Sequence, residues 1–268
     1  MTPATVFDRM AADYDAKWTT TPVGRAQRDQ VWRVLDAMFQ RGDRVMDIGC
    51  GTGEDALHLM ARGVIVQAVD TSPAMVAVAQ SRGVAAEVCR AEELGGLDDA
   101  PWASSARLWD EGVPRGPGGP PYKVTFDGAL SNFGALNCVE DLHSVARELA
   151  HVVRPGGRVA ICLIGRCCLW ETFYYTLRLQ FGKAFRRRGV SEYRGMAVSY
   201  PTVGEVREDF SRGFELRRWT GIGFLVPPSY VKLPATLVRA LGACDRVLAG
   251  LPLLRALADH RLFLLVRK

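Results

Sequence analysis

Val45-Met46-Asp47-Ile48-Gly49-Cys50-Gly51-Thr52-Gly53 decides how this chain is read. Its first residues read as a short apolar strand after the turn residues Arg41-Gly42-Asp43, and a helical pattern runs from 54 to 61. The glycines therefore fall at a strand-to-helix turn, where the missing side chains let a ligand approach the backbone and the free N–H groups of the helix start. A dinucleotide-binding fingerprint wants its third glycine three residues after the second, and that position holds Glu54. Here the third glycine comes one residue earlier, at Gly53. Asp47 would repel a pyrophosphate but suits a ligand that carries an ammonium and a sulfonium.

Residues 64–70 form a second apolar strand closed by Asp70, and Thr71-Ser72-Pro73 reads as a helix start with proline in its first turn. A carboxylate at that strand end can accept both hydroxyls of a ribose. Asp47 and Asp70, each at the end of its own strand, fit S-adenosylmethionine better than a nicotinamide dinucleotide. Further strands are expected at 84–89, 124–131 and 157–164, the last entered through Arg154-Pro155-Gly156-Gly157. Helical patterns separate most of them, which predicts an α/β, doubly wound, Rossmann-like sheet with helices on both faces. Two late strands are expected at 214–219 and 262–266, around an apolar, mostly helical stretch at 231–257 broken at Gly250 and Pro252. The turn-rich 95–121 reads as a flexible insertion. Residues 169–188 read as one strong helix, with Trp170, Phe173, Tyr174, Leu177, Phe181, Ala184 and Phe185 on one face.

A chain of 268 residues buries one large core, or one core and a small cap. Hydrophobic residues at 48% and charged residues at 24% exclude disorder. No N-terminal apolar stretch reads as a secretory signal and no run approaches about 20 apolar residues, so a cytoplasmic protein is expected. The seven cysteines show no zinc-type spacing, and no metal is expected. The vicinal Cys167-Cys168 reads as packing or as a soft-metal or arsenical pair, the former preferred. A net charge of +5 is mild and uneven, and nucleic acid is not an expected partner. Its densest run is 183–188, with Lys183, Arg186, Arg187 and Arg188. These either meet anionic lipid or an acidic ligand, or form a solvated helix end that complements the macrodipole.

From about 5 to 165 the chain resembles the class I S-adenosylmethionine-dependent methyltransferases, in their small-molecule branch. Residues 47–53 look like the family's first motif, Asp70 like its acidic second motif, and Ala91-Glu92-Glu93 like its adenine-contacting loop. Phe126-Asp127-Gly128-Ala129-Leu130-Ser131-Asn132 is similar to its fourth-strand motif, and 149–157 to its Pro-Gly-Gly turn into strand five. The resemblance implies a seven-stranded sheet with the last strand antiparallel, with helical cap and insertions. It also implies a donor site built from Tyr14, Asp47, Gly49, Cys50, Gly51, Asp70, Thr71, Ala91, Glu92 and Asn132, with S-adenosyl-L-homocysteine as product. Arg90 departs from the pattern, standing where many relatives hold an aspartate toward the adenine amino group; Glu92 is the expected substitute. The expected layout is one methyltransferase domain over 1–268: a helical lid at 1–40, a donor-binding core at 41–165, a substrate cap at 166–212, and C-terminal strands and helices at 213–268.

A sulfonium is already a strong methyl donor, so such a protein mainly aligns an acceptor and excludes water. Asn132 either orients the acceptor, the one candidate catalytic role, or turns the backbone. Tyr14 either covers the methionine end of the donor or packs an N-terminal helix. His143 and His151 read as surface or interhelical residues. Trp170, Phe173 and Tyr174 are the candidate substrate residues, walling an apolar pocket or packing on the sheet. The expected acceptor is a small apolar or aromatic molecule. Two rival classes stand beside this reading: a non-catalytic donor-binding regulatory or scaffold protein, and a nicotinamide-dependent oxidoreductase.

Overall fold

A chain that alternates buried strands with amphipathic helices must cover both sheet faces, and this one does so in three layers. The computed structural model describes residues 2–99 and 125–268, so most of the insertion expected at 95–121 lies outside the described residues. In chain order the elements are α1 (Pro3–Asp8), α2 (Pro22–Met38), β1 (Arg44–Ile48), α3 (Glu54–Ala61), β2 (Ile65–Asp70), α4 (Pro73–Ser81) and β3 (Ala85–Val88). Then come β4 (Phe126–Ser131), α5 (Leu142–Val152), β5 (Val153–Ile164), α6 (Leu169–Thr176), α7 (Phe181–Ala184), β6 (Ser191–Tyr193) and β7 (Met196–Val198). The chain closes with α8 (Val203–Phe210), β8 (Phe214–Ile222), α9 (Ala235–Leu248) and β9 (His260–Arg267).

Seven strands form one sheet in the order β3-β2-β1-β4-β5-β9-β8. The first five pair in parallel, and β9 runs antiparallel between β5 and β8. The seven-stranded sheet with its last strand antiparallel is therefore present. Met46 and Ile48 on one face pack with α5 and α8, while Val45 on the other packs with α2, α3 and α4. Each fully buried apolar side chain in these layers contributes about 1.5–3 kcal/mol. After β3 the chain returns across the sheet to place β4 beside β1, so a crevice opens beyond the carboxyl ends of these strands.

The helix starts follow local chemistry. Thr21 Oγ1 accepts from the Gly24 amide at 3.0 Å ahead of α2, and Ser72 Oγ from the Met75 amide at 3.2 Å ahead of α4, each with proline in the first turn.

The long helix expected over 169–188 is corrected. It stops at Thr176; Leu179 takes φ +56°, and two short turns follow. Glu171 supplies the cause. Its buried carboxylate accepts from Arg186 at 2.9 and 3.0 Å and from Arg187 at 2.9 and 3.1 Å, which folds the basic run back onto α6. Arg187 also donates to Asp259 Oδ1 at 2.8 Å and is buried. It is thus a structural cation, unavailable to the lipid or acidic ligand expected to meet it, because a buried carboxylate must be paired.

Candidate functional site

The crevice between β1 and β4 holds a cavity of about 400 Å³. Its floor is the glycine turn after β1. Gly51 takes φ +55°, a backbone region that disfavours side chains, and a Cβ there would meet nothing within 4 Å, so it would project into open space. Gly49 is different: its Cβ would lie 2.3 Å from that of Ala135, so glycine lets the segment after β4 close against the turn.

Asp70 ends β2 on the cavity wall. One carboxylate oxygen accepts from the Gly51 amide at 2.9 Å and the other from the Ser72 amide at 2.9 Å. Burial pushes its pKa up, against the lowering effect of these amides. A carboxylate offers about four acceptor directions, so it retains capacity for hydroxyl donors.

The N-terminal segment closes one side, with Pro3, Phe7 and Tyr14 on the wall. It is not one helix. After α1 the chain makes a 3-10 turn over Ala11–Asp13 and a π turn over Asp15–Thr19, with Tyr14 between them. Two carboxylates fasten it. Asp8 accepts from Ser72 Oγ at 2.6 Å and the Ala74 amide at 3.0 Å, at the start of α4. Asp15 accepts from Thr52 Oγ1 at 2.7 Å and lies 3.3 Å from Arg82. Burial pushes the Tyr14 hydroxyl up to about 12, against the opposing Arg28 charge, so it stays protonated at neutral pH.

Behind the wall lies a buried polar cluster. Asp55 forms an ion pair with Arg28 at 2.6 Å and accepts from Trp32 Nε1 at 2.6 Å and from Asn132 Nδ2 at 3.0 Å. The Asn132 Oδ1 accepts from the Phe133 amide at 3.0 Å, so this side chain is held in one orientation at the cavity edge. Phe133 itself takes φ +47°, a strained conformation for an aromatic residue. Its ring is held by Trp18 at 4.6 Å, by His260 at 5.4 Å and by the Arg28 guanidinium at 5.0 Å.

Of the residues expected at the donor site, the structure places Tyr14, Gly49, Gly51, Asp70, Thr71, Ala91, Glu92 and Asn132 on the cavity wall. Asp47 and Cys50 are not on it. Strand alternation puts Asp47 on the face of Val45, behind the glycine turn. There burial, with Asp55 nearby, pushes its carboxyl well above the usual range, and Oδ2 has no partner. Arg90 and Glu92 both reach the wall and lie 3.3 Å apart.

Trp170, Phe173 and Tyr174 do not line the cavity. The Trp170 indole donates to the Leu225 carbonyl at 3.0 Å, and Tyr174 packs against Tyr175 and Tyr230. His143 bonds the Asp209 carbonyl at 3.2 Å, between α5 and α8. Sequence reasoning missed the wall built by Phe133, Gly134, Leu136 and Val139. Its one available signal was Gly134, three residues past the end of the fourth strand and in fact at φ +86°.

Fold and site together define an open α/β domain with a ligand cavity at the point where its strand order reverses. The chain belongs to the methyltransferase-domain family, whose model matches residues 23–208. It is similar to the demethylmenaquinone methyltransferase of Mycobacterium marinum, 30% identical over 162 residues that make up 59% of this chain and 58% of that protein. The demethylmenaquinone methyltransferase of Symbiobacterium thermophilum is 27% identical over 226 residues, 76% of this chain and 81% of that one. The chain thus spans less than two thirds of the length of the Mycobacterium marinum relative, at 58%. Among solved structures, a SAM-dependent methyltransferase from Thermotoga maritima superposes with a TM-score of 0.58 at 17% identity, covering 99% of each chain. At that identity it shows a shared fold.

Proposed function

We propose that this chain binds S-adenosylmethionine in the cavity and transfers its methyl group to a small apolar or aromatic acceptor. The observation that carries the proposal is Asp70 on the cavity wall, hydrogen-bonded at 2.9 Å to the Gly51 amide and so set beside the open space over that glycine. The residues fit the donor. Asp70 keeps acceptor capacity for ribose hydroxyls, the Gly51 backbone admits close approach, and the wall near Ala91 and Glu92 suits an adenine ring.

The bound donor supplies an activated methyl group. An acceptor's electron pair would displace S-adenosyl-L-homocysteine from that methyl group, and a carbon or hydroxyl acceptor would give up its proton to solvent. The chain's own residues position and shield this displacement. Asp70 and the glycine turn fix the donor end, and the segment fastened by Asp8 and Asp15 excludes water on one side. Asn132, locked by Asp55, offers its remaining amide hydrogen and lone pair to orient an acceptor. The strained Phe133 and the neighbouring Leu136 and Val139 give that end of the cavity an apolar surface. This chemistry matches a quinone-like ring, the class of acceptor in the name of the demethylmenaquinone methyltransferase relatives.

Thermal melts with S-adenosylmethionine, S-adenosylhomocysteine and NAD test the donor assignment, since a ligand that binds only the folded state raises the melting temperature. The first two should stabilise and NAD should not; stabilisation by NAD alone would overturn the assignment. Incubation with methyl-labelled donor and apolar aromatic metabolites, followed by mass spectrometry, then identifies the acceptor. Label on polar metabolites alone would refute the acceptor class.

A further inference from the structure

The segment from α6 to β6 exposes an unusual amount of apolar surface for a folded chain. Phe173 is 59% exposed, Leu177 68%, Leu179 77%, Phe181 53% and Val190 73%. They come from consecutive short elements, and α6 and α7 pack on each other. Leu179 adds strain to exposure. It holds φ +56°, a left-handed conformation unfavourable for a non-glycine residue, and presents its side chain to solvent.

Cations are interleaved with these groups. The Arg178 guanidinium lies 4.0 Å over the Tyr174 ring, Lys183 Nζ 5.7 Å over Tyr175, and the Arg188 guanidinium 4.3 Å over Phe185. None of the three has a carboxylate partner among the described residues. Glu171 is the only acidic residue between 166 and 191, and its carboxylate is buried against Arg186 and Arg187. The surface therefore combines exposed apolar and aromatic groups with an excess of positive charge, the exposed Glu192 in β6 being its one acid at the margin. A second copy is a poor occupant, because a two-fold contact would set these cations against themselves.

We propose that the surface formed by α6, α7 and the turns that follow binds peripherally to an anionic lipid bilayer. Leu177, Leu179 and Phe181 enter the headgroup boundary, while Arg178, Lys183 and Arg188 face lipid phosphates. Charge complementarity selects this occupant over a neutral surface. The inference does not depend on the donor reading, since none of these residues lines the cavity.

Sedimentation of the full chain with phosphatidylglycerol-containing vesicles and with pure phosphatidylcholine vesicles, over a salt series, tests the proposal. Binding should occur with the anionic vesicles only and should weaken as salt rises. The double variant Lys183→Glu with Arg188→Glu should lose at least about twenty-five-fold in partitioning, at about fivefold for each of the two cations near the surface. Leu177→Ser with Phe181→Ser should weaken binding to anionic vesicles as well. Both variants change exposed side chains and should melt like the wild type. Failure to sediment with anionic vesicles, equal binding to neutral ones, or unchanged binding by the charge variant would overturn the proposal. Concentration-dependent dimerisation abolished by Leu177→Ser with Phe181→Ser would also overturn it, by assigning the surface to a second copy. Donor calorimetry on the same variants separates this outcome from any failure of the donor site.

Discussion

Asp55→Ala removes the hub of the buried cluster behind the cavity. The aspartate and Arg28 side chains are 8% and 6% exposed, and their atoms lie 2.6 Å apart. Truncation leaves the guanidinium buried without a counter-charge, and Arg28 Nε already lacks a partner. Losing one member of such a pair costs about 3–5 kcal/mol. The Trp32 and Asn132 hydrogen bonds end on the same carboxylate, so their loss belongs to that figure and is not added to it. Urea unfolding followed by circular dichroism, with Asp55→Ala, Arg28→Met and the double variant, measures it. The double variant should be less destabilised than Asp55→Ala alone, because no buried charge is then left unpaired. A loss below about 1 kcal/mol in Asp55→Ala, or strict additivity in the double variant, would refute this reasoning.

Gly51→Leu should abolish S-adenosylmethionine binding in calorimetry while the protein still melts cooperatively, because the new side chain would fill the open space over the turn at the cost of a φ of +55°; normal binding would place the donor elsewhere. Asp259 tests the electrostatics. Burial would raise its carboxyl, but His260 and Arg187 hold it down at about 2, with the buried Arg187 as the partner that keeps its charge at every pH. Its folded pKa is depressed, so its contribution is present above about pH 4 and is lost as pH falls toward 2. At about 1.4 kcal/mol per pH step, that contribution is roughly 2 kcal/mol. Asp259→Asn should be less stable at neutral pH and lose less stability across that acid window; parallel wild-type and variant curves would count against the pair.

The glycine turn and the strand-end acid of the candidate site were legible in the sequence because their signals are local. A glycine turn after an apolar strand and an acid closing the next strand are fixed by their own neighbours, and Gly51 and Asp70 indeed share one wall. Asp47 was harder to place: its position in the motif pointed to the ligand, while strand alternation sends it behind the turn. What the sequence hid depends on distant partners. Nothing local links Asp8 to Ser72 or Asp15 to Thr52, yet those bonds fasten the N-terminal segment over the cavity. The helical period of 169–188 is real in pattern, but the buried charge of Glu171 overrides it by drawing in Arg186 and Arg187. The aromatic residues of α6 do not reach the cavity, and Phe173 is left at the surface.

Calorimetric titration of S-adenosylmethionine into the wild type and Asp70→Ala tests whether Asp70 holds a methyl donor in this cavity. Removing a charge-assisted acceptor costs about 1.5–3 kcal/mol, or roughly ten- to a hundredfold in affinity. The wild type should bind saturably, and the variant should bind more weakly by that factor while still melting cooperatively. No binding by the wild type, or equal affinity in the two proteins, would contradict this role for Asp70.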